Sequence, residues 1–200
     1  MAPAGDRHQG YGFFTVVHSE DGGISGGFLV LNASGRPLEF HCTAVVRPSR
    51  PQQILYGPTL LPYLVGEQIG PTLVRKAKSS IEMVFTDTPA SYAMRSAIDA
   101  PVIFVAAEEE ATASADTDTS SDAAKPRQEA PRWRIDAAHE RPAAPHWTHF
   151  VHNELTMGVN IEYADDQKRF VELANNHLRY LDFTEPFTRV REAVAETLNT

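Results

Sequence analysis

Residues 81–106 read IEMVFTDTPASYAMRSAIDAPVIFVA, and this stretch decides the fold. Ile81 to Thr86 is rich in β-branched and aromatic residues, which fit a pleated surface, so it reads as a strand. Ser91 to Ile98 reads as a short helix. Val102 to Ala106 is a continuous apolar run closed by Pro101, the pattern of a strand covered on both faces. A strand, helix and strand unit brings its two strands together in parallel through a right-handed crossover. The expected class is therefore α/β (α+β), a mixed β-sheet with packed helices.

Upstream of this unit the pattern is of hairpins and then of helices. Tyr11 to Glu20 (YGFFTVVHSE) forms a first strand broken by Asp21, Gly22 and Gly23. Phe28 to Leu31 and Pro37 to Val46 flank the turn residues Asn32 to Arg36, so they form a hairpin around Gly35. Ser49 can cap a short helix carrying Pro51 and ended by Gly57 and Pro58. Leu60, Leu61, Leu64, Val65 and Ile69 recur at spacings of three and four, which predicts a second helix, kinked or restarted at Pro71.

Downstream, residues 107–130 consist of small, polar and acidic residues, without a large apolar side chain to offset the entropy of ordering. They are expected to be a disordered acidic linker between a mixed-sheet segment, 1–106, and a C-terminal segment, 131–200. In the latter, Trp133 to Ile135 and Trp147 to Met157 look extended. Phe170, Val171, Leu173, Ala174, Leu178 and Leu181 form one helical stripe, and Val190, Val194 and Leu198 another. Pro186 begins the last helix, with Thr184 or Glu185 near its cap. The C-terminal segment alone is small for an independent core, so packing on the first segment is one open arrangement.

The chain has 200 residues, 42% hydrophobic, and a formal charge of −8. Acidic against basic residues number 8 and 8 over 1–106, 7 and 2 over 107–130, and 11 and 8 over 131–200. The excess is greatest in the linker, and no cluster of Lys and Arg reaches the density that binds phosphates, so nucleic acid is not expected as a partner. The longest apolar run is far short of the roughly 20 residues that span a bilayer, and the N-terminus lacks an apolar signal core. A cytoplasmic protein without membrane attachment is expected. The single cysteine, Cys42, excludes an internal disulfide.

The run GGFLVLNASGRPLEFHCT, followed by ILYGPTLLPYLVGEQIG, resembles a pattern of uncharacterised bacterial proteins over roughly residues 26–76. That resemblance implies no activity. The hairpin with its GRP turn and following helix is similar to the profilin and roadblock type of α/β layer, a likeness of fold alone.

Five groups of residues can carry chemistry. Gly23 to Gly27 matches the G-x-S-x-G nucleophile elbow, but Ser25 is followed by a strand (FLVL), whereas the elbow needs a helix. His146, His149 and His152 can in principle hold zinc as three imidazoles with an open fourth position, completed by Glu154 or His139. On a helix they spread over about 120 degrees, and on a strand His149 points away from the other two. His41 beside Cys42 suggests an activated thiol, but neighbours on a strand face opposite ways, so Cys42 is expected in the core with Leu38 and Phe40. Asp165 and Asp166 are expected to stabilise a helix start, and Arg75, Lys76 and Lys78 a helix end.

No set of acid, base and nucleophile emerges. The expected function is a non-catalytic protein-interaction or adaptor subunit of an intracellular bacterial complex, with another protein as partner and no cofactor. The alternative is a metal-assisted hydrolase using zinc on His146, His149 and His152.

Overall fold

The computed structural model describes residues 9–19, 22–106, 146–179 and 181–198. The linker, Trp133 to Ile135 and His139 lie outside these residues. β1 (Gln9–His18), β2 (Ile24–Leu31) and β3 (Pro37–Cys42) lead into the helix α1 (Arg50–Tyr56). A wide-turn helical stretch, Pro62–Ile69, then runs into α2 (Gly70–Lys76). β4 (Ser80–Thr86) and β5 (Val102–Val105) flank a 3-10 stretch, Pro89–Ser96. β6 (Trp147–His152), β7 (Leu155–Asn160), α3 (Asp165–His177) and α4 (Glu185–Leu198) complete the order.

All seven strands form one sheet, in the order β3-β2-β1-β4-β5-β7-β6. β4 is parallel to both β1 and β5, and the remaining pairs are antiparallel. The sheet is therefore mixed, as the strand, helix and strand reading required. β7 pairs with β5, Ile103 opposite Val159, so the C-terminal segment packs on the first by extending its sheet.

Both faces of the sheet are covered. On one face Phe14, Phe28, Val84 and Phe104 pack under Leu64, Val65, Ile69 and Leu73 of the long helical stretch, and under Met94. On the other, Phe13, Leu29, Phe85 and Val159 pack under Phe170 and Ala174 of α3 and Val190 and Val194 of α4. Phe85 is the hub of that second core. Its ring lies 5.1 Å from Phe13, 5.0 Å from Phe183 and 6.1 Å from Phe170. Such aromatic pairs add about 0.5–1.5 kcal/mol each beyond their buried area.

Gly26 and Gly27 let the two helical layers close in. A Cβ on Gly26 would stand 2.2 Å from Ile69 Cγ2, and one on Gly27 would stand 2.4 Å from Val190 Cγ1 and 2.6 Å from Val194 Cγ2. The restart at Pro71 also has a local cause. Proline has no N–H to give and its ring crowds the carbonyl four residues back, so the preceding turn widens. The Gly70 amide accordingly bonds the Val65 carbonyl, five residues back.

Several boundaries differ from the sequence reading. Trp147 to Met157 is a hairpin rather than one extended piece, turned by Asn153 and Glu154 at φ 48° and 67°. Two consecutive residues of positive φ match the twist of the flanking strands. α4 starts at Glu185 with Thr184 just before it, as read, and the Asp182 carboxylate upstream accepts from the amides of Thr184 at 2.7 Å and Glu185 at 3.0 Å. Those bonds hold its pKa below the ordinary value. Val171 and Leu198, read as core, are exposed at 37% and 39%; Val171 stands one position, about 100° of helix, round from the buried Phe170.

The two edges of the sheet differ. On β3, Pro37 offers no amide, a bulge interrupts the pairing beside Leu31, and Glu39 is clasped. The Glu39 carboxylate accepts from the Ser79 hydroxyl at 2.6 Å, the Lys78 amide at 2.9 Å and His41 Nε2 at 3.0 Å. Burial alone would raise its pKa, but the bonds from Ser79, Lys78 and His41 outweigh it and bring the pKa down to about 2. β6, the opposite edge, has neither proline nor bulge.

Gly27→Ala is expected to destabilise the fold by about 1–3 kcal/mol through overpacking, read as a fall in the urea midpoint. A depressed carboxyl stabilises the fold above its unfolded pKa and loses that contribution as pH falls through the folded value. Glu39→Gln is therefore expected to cost about 1.5–3 kcal/mol near neutral pH. The gap from wild type should close as pH falls from about 4.5 to about 2. Denaturant titrations at stepped pH check this, and a constant gap would remove the clasp from the account.

Candidate interaction surface

The surface with the plainest unmet physical demand is α1 and the turn after it. Ser49 holds α1 in a capping box: the Gln52 amide bonds the Ser49 hydroxyl at 3.4 Å, and the Ser49 amide bonds Gln52 Oε1 at 2.8 Å. Pro51 supplies the fixed φ of a first turn. Seven residues are too few for a helix to persist by propensity alone, so this cap and the tethered ends hold it. Yet α1 has no buried residue. Ile54 is 64% exposed and Leu55 82%, and Leu61 beyond the Gly57–Thr59 turn is 44% exposed. Tyr56 and Tyr63 stack at 4.4 Å beside them and stiffen the projection.

The charge around this patch is mixed: the Glu67 carboxylate acts on Tyr56, and Arg50 opens the helix. Residues 40–66 contain Arg47 and Arg50 and no aspartate or glutamate, in a chain whose overall charge is −8. Arg50 reaches Gln53 Oε1 at 3.4 Å, which leaves its guanidinium at the surface.

The histidines are placed on different surroundings. His146 precedes β6 and stacks on Tyr92 at 3.7 Å. His149 stands edge-on to Phe104, on the face of the long helical stretch. His152 packs edge-on to Phe170 at 4.9 Å, on the opposite face. The strand period separates His149 from His152, and ring stacking holds His146. Glu154 sits in the hairpin turn. Among the described residues no group of three His, Cys, Asp or Glu side chains is placed to hold a metal ion.

Ser25 lies inside β2, opposite Val17. It is buried, and its hydroxyl has no hydrogen-bond partner among the described residues. A strand interior offers neither the exposure nor the helix N-terminus of a nucleophile elbow. Cys42 is partly buried against the second core, while Leu38 and Phe40 are half-exposed, because β3 is an edge strand beyond the full cover of α4. His41 does not face open solvent but bonds Glu39.

Asp165 stands in the first turn of α3, at the helix start as expected, exposed and paired with Lys168 at 2.8 Å. Asp166 is not a cap. It is buried and takes a forked bond from Arg95, Nε to Oδ2 at 2.6 Å and Nη2 to Oδ1 at 3.3 Å. The Arg95 guanidinium also lies 4.4 Å from the Tyr163 ring. This pair spans 71 positions, so spacing could not reveal it. Arg75 does end a helix, but its guanidinium bonds the Ala97 carbonyl at 2.9 Å and so ties α2 to the turn before β5. An open groove of about 270 Å³ between β4 and α3 is lined by Glu82, Arg169, Glu172, Asn176 and His177, a mixed set of charged and polar groups that selects no ligand class.

Fold and surface together define a mixed-sheet α/β protein, covered on both faces, with an apolar helical projection. No family model matches the chain, and no curated protein matches its sequence.

A buried hydroxyl without a partner costs free energy that a methyl group does not. Ser25→Ala is therefore expected to leave stability unchanged or raise it by about 1 kcal/mol, read as the urea midpoint. A marked loss of stability would mean that the hydroxyl has a structural partner.

Proposed function

We propose that this chain is a non-catalytic protein-interaction or adaptor subunit of an intracellular bacterial complex, acting in the cytoplasm. Its docking element is α1 with the turn that follows. The observation that carries this reading is an ordered, capped helix whose apolar residues Ile54 and Leu55 face solvent. Single exposed apolar residues are ordinary, but a contiguous set on one projection marks a contact surface. Covering a Leu or Ile side chain contributes about 1.5–3 kcal/mol, so this patch can anchor an interface core. Arg50, with its guanidinium at the surface, can add a contact to a partner carboxylate beside the apolar one. Among the described residues no helix is long and apolar enough to cross a membrane, which agrees with a partner in solution.

The test uses the full chain as bait in lysate of its native host, comparing wild type with the double variant Ile54→Asp/Leu55→Asp. α1 buries no residue, so the variant is expected to keep its circular dichroism and melting temperature. The expected result is one stoichiometric partner held by wild type, lost from the variant, and rebinding as purified protein with salt-sensitive affinity. Equal retention by both baits, or no stoichiometric partner on either, overturns the proposal.

A further inference from the structure

The β6 edge carries an assignment independent of α1. In an antiparallel pair, residues alternate between exchanging bonds with the partner strand and aiming their amide and carbonyl away from it. The Ile161 amide bonds the His146 carbonyl at 3.0 Å, which fixes the alternation. Thr148, Phe150 and His152 therefore direct their backbone groups to Val159, Met157 and Leu155. Trp147, His149 and Val151 direct theirs outward from the sheet. Among the described residues no strand lies on that side.

This edge lacks the devices that keep sheet edges apart: proline, a bulge, or an inward charge. The strand reads WTHFVH, without Asp, Glu, Lys or Arg. Val151 is 73% exposed. The other edge, β3, has all three devices in Pro37, the bulge beside Leu31 and the clasped Glu39. A β6-to-β3 contact between copies would be head-to-tail and would propagate, whereas a β6-to-β6 contact closes on a two-fold axis. The guarded edge blocks the first and leaves the second.

We propose that a second copy of this chain pairs antiparallel with β6, on a two-fold axis at His149. That register sets Trp147 opposite Val151 of the second copy, and His149 opposite its own counterpart. Each of these pairs exchanges two backbone bonds, because all three residues aim outward. Trp147 stacks on Phe104 at 5.3 Å, so the exposed Val151 of one copy comes to rest beside an apolar ring of the other. With no ionised side chain of fixed sign on the strand, no like charges are opposed. The occupant is thus a second copy, and the product is one sheet continuous through both chains.

The full chain is tested by light scattering after size exclusion, over a hundredfold range of concentration. A mass of two chains is expected at the upper end. Val151→Pro removes an outward amide and leaves the pairing with β7 intact. It is expected to lose the dimer mass while keeping the circular dichroism and melting temperature of the wild-type monomer. In a Cys42→Ser background, His149→Cys is expected to cross-link on mild oxidation. Directly opposite residues that exchange bonds have Cα atoms about 5.5 Å apart, within disulfide reach. Thr148→Cys, opposite Phe150 of the second copy, is not expected to cross-link.

A monomer at every concentration overturns the proposal, as does a dimer that survives Val151→Pro without a His149→Cys cross-link. A dimer abolished by Ile54→Asp/Leu55→Asp would instead assign the contact to α1, so the two readings fail separately.

Discussion

Two adjacent backbone positions on β2, Gly26 and Gly27, set how closely both helical layers approach the sheet. Their missing side chains face opposite ways, toward Ile69 and toward Val190 and Val194, because successive residues of a strand alternate faces. The first layer comes from the long connection between β3 and β4, and the second from the end of the chain. Close packing of both on one strand fixes the thickness of the whole molecule. α4 also reaches the Phe85 cluster from its outer side, where Phe187 meets Phe13 at 5.5 Å.

From that doubly covered centre the sheet runs out to two unlike ends. Near β3 the backbone is guarded, and the Glu39 clasp fastens the edge to the loop that begins β4. Near β6 the strand is neutral and its outer backbone groups are directed away from the sheet. Polar ties hold the flanks between these ends: Arg95 with Asp166, the Asn160 amide with the Tyr92 carbonyl at 2.9 Å, and the Trp147 indole with the Pro89 carbonyl at 3.0 Å. All three join the 3-10 stretch after β4 to the C-terminal segment. A buried ion pair such as Arg95 with Asp166 is costly to break from one side, because the remaining charge keeps its desolvation cost.

The elements whose signal is local were legible in the sequence. The hairpin around Gly35, the Ser49 cap, the restart at Pro71 and the parallel strands β4 and β5 all follow from turn chemistry, capping or apolar runs. What was not legible depends on distant partners. Asp166 looks like a helix-start residue until Arg95 is brought beside it. Leu38 and Phe40 alternate like core residues, and only their position at the sheet edge leaves them half-exposed. The turn at Asn153 and Glu154 was hidden because glutamate rarely takes positive φ. The projection at α1 was read correctly as a capped helix, but sequence pattern does not say whether Ile54 and Leu55 find cover. For the histidines, the strand period already set His149 apart from His152, and it was the stacking of His146 on Tyr92 that spacing could not supply.

The pairing of β5 with β7 has a consequence for the order of assembly. Ile103 and Val159 are neighbours in the sheet but far apart along the chain. Closing a long loop costs little more than closing a moderate one, about 0.6 kcal/mol per doubling of length, so the connection is thermodynamically tolerable. Kinetically it is slow, since distant pairings must lose that entropy before their contacts form. During synthesis, the strands up to β5 emerge with one face of the sheet still bare, and Phe85 waits for Phe170 and Phe183. α3 and α4 therefore complete this face of the core after the strands that it covers, and a nascent chain short of them presents its aromatic face to whatever binds unfolded protein.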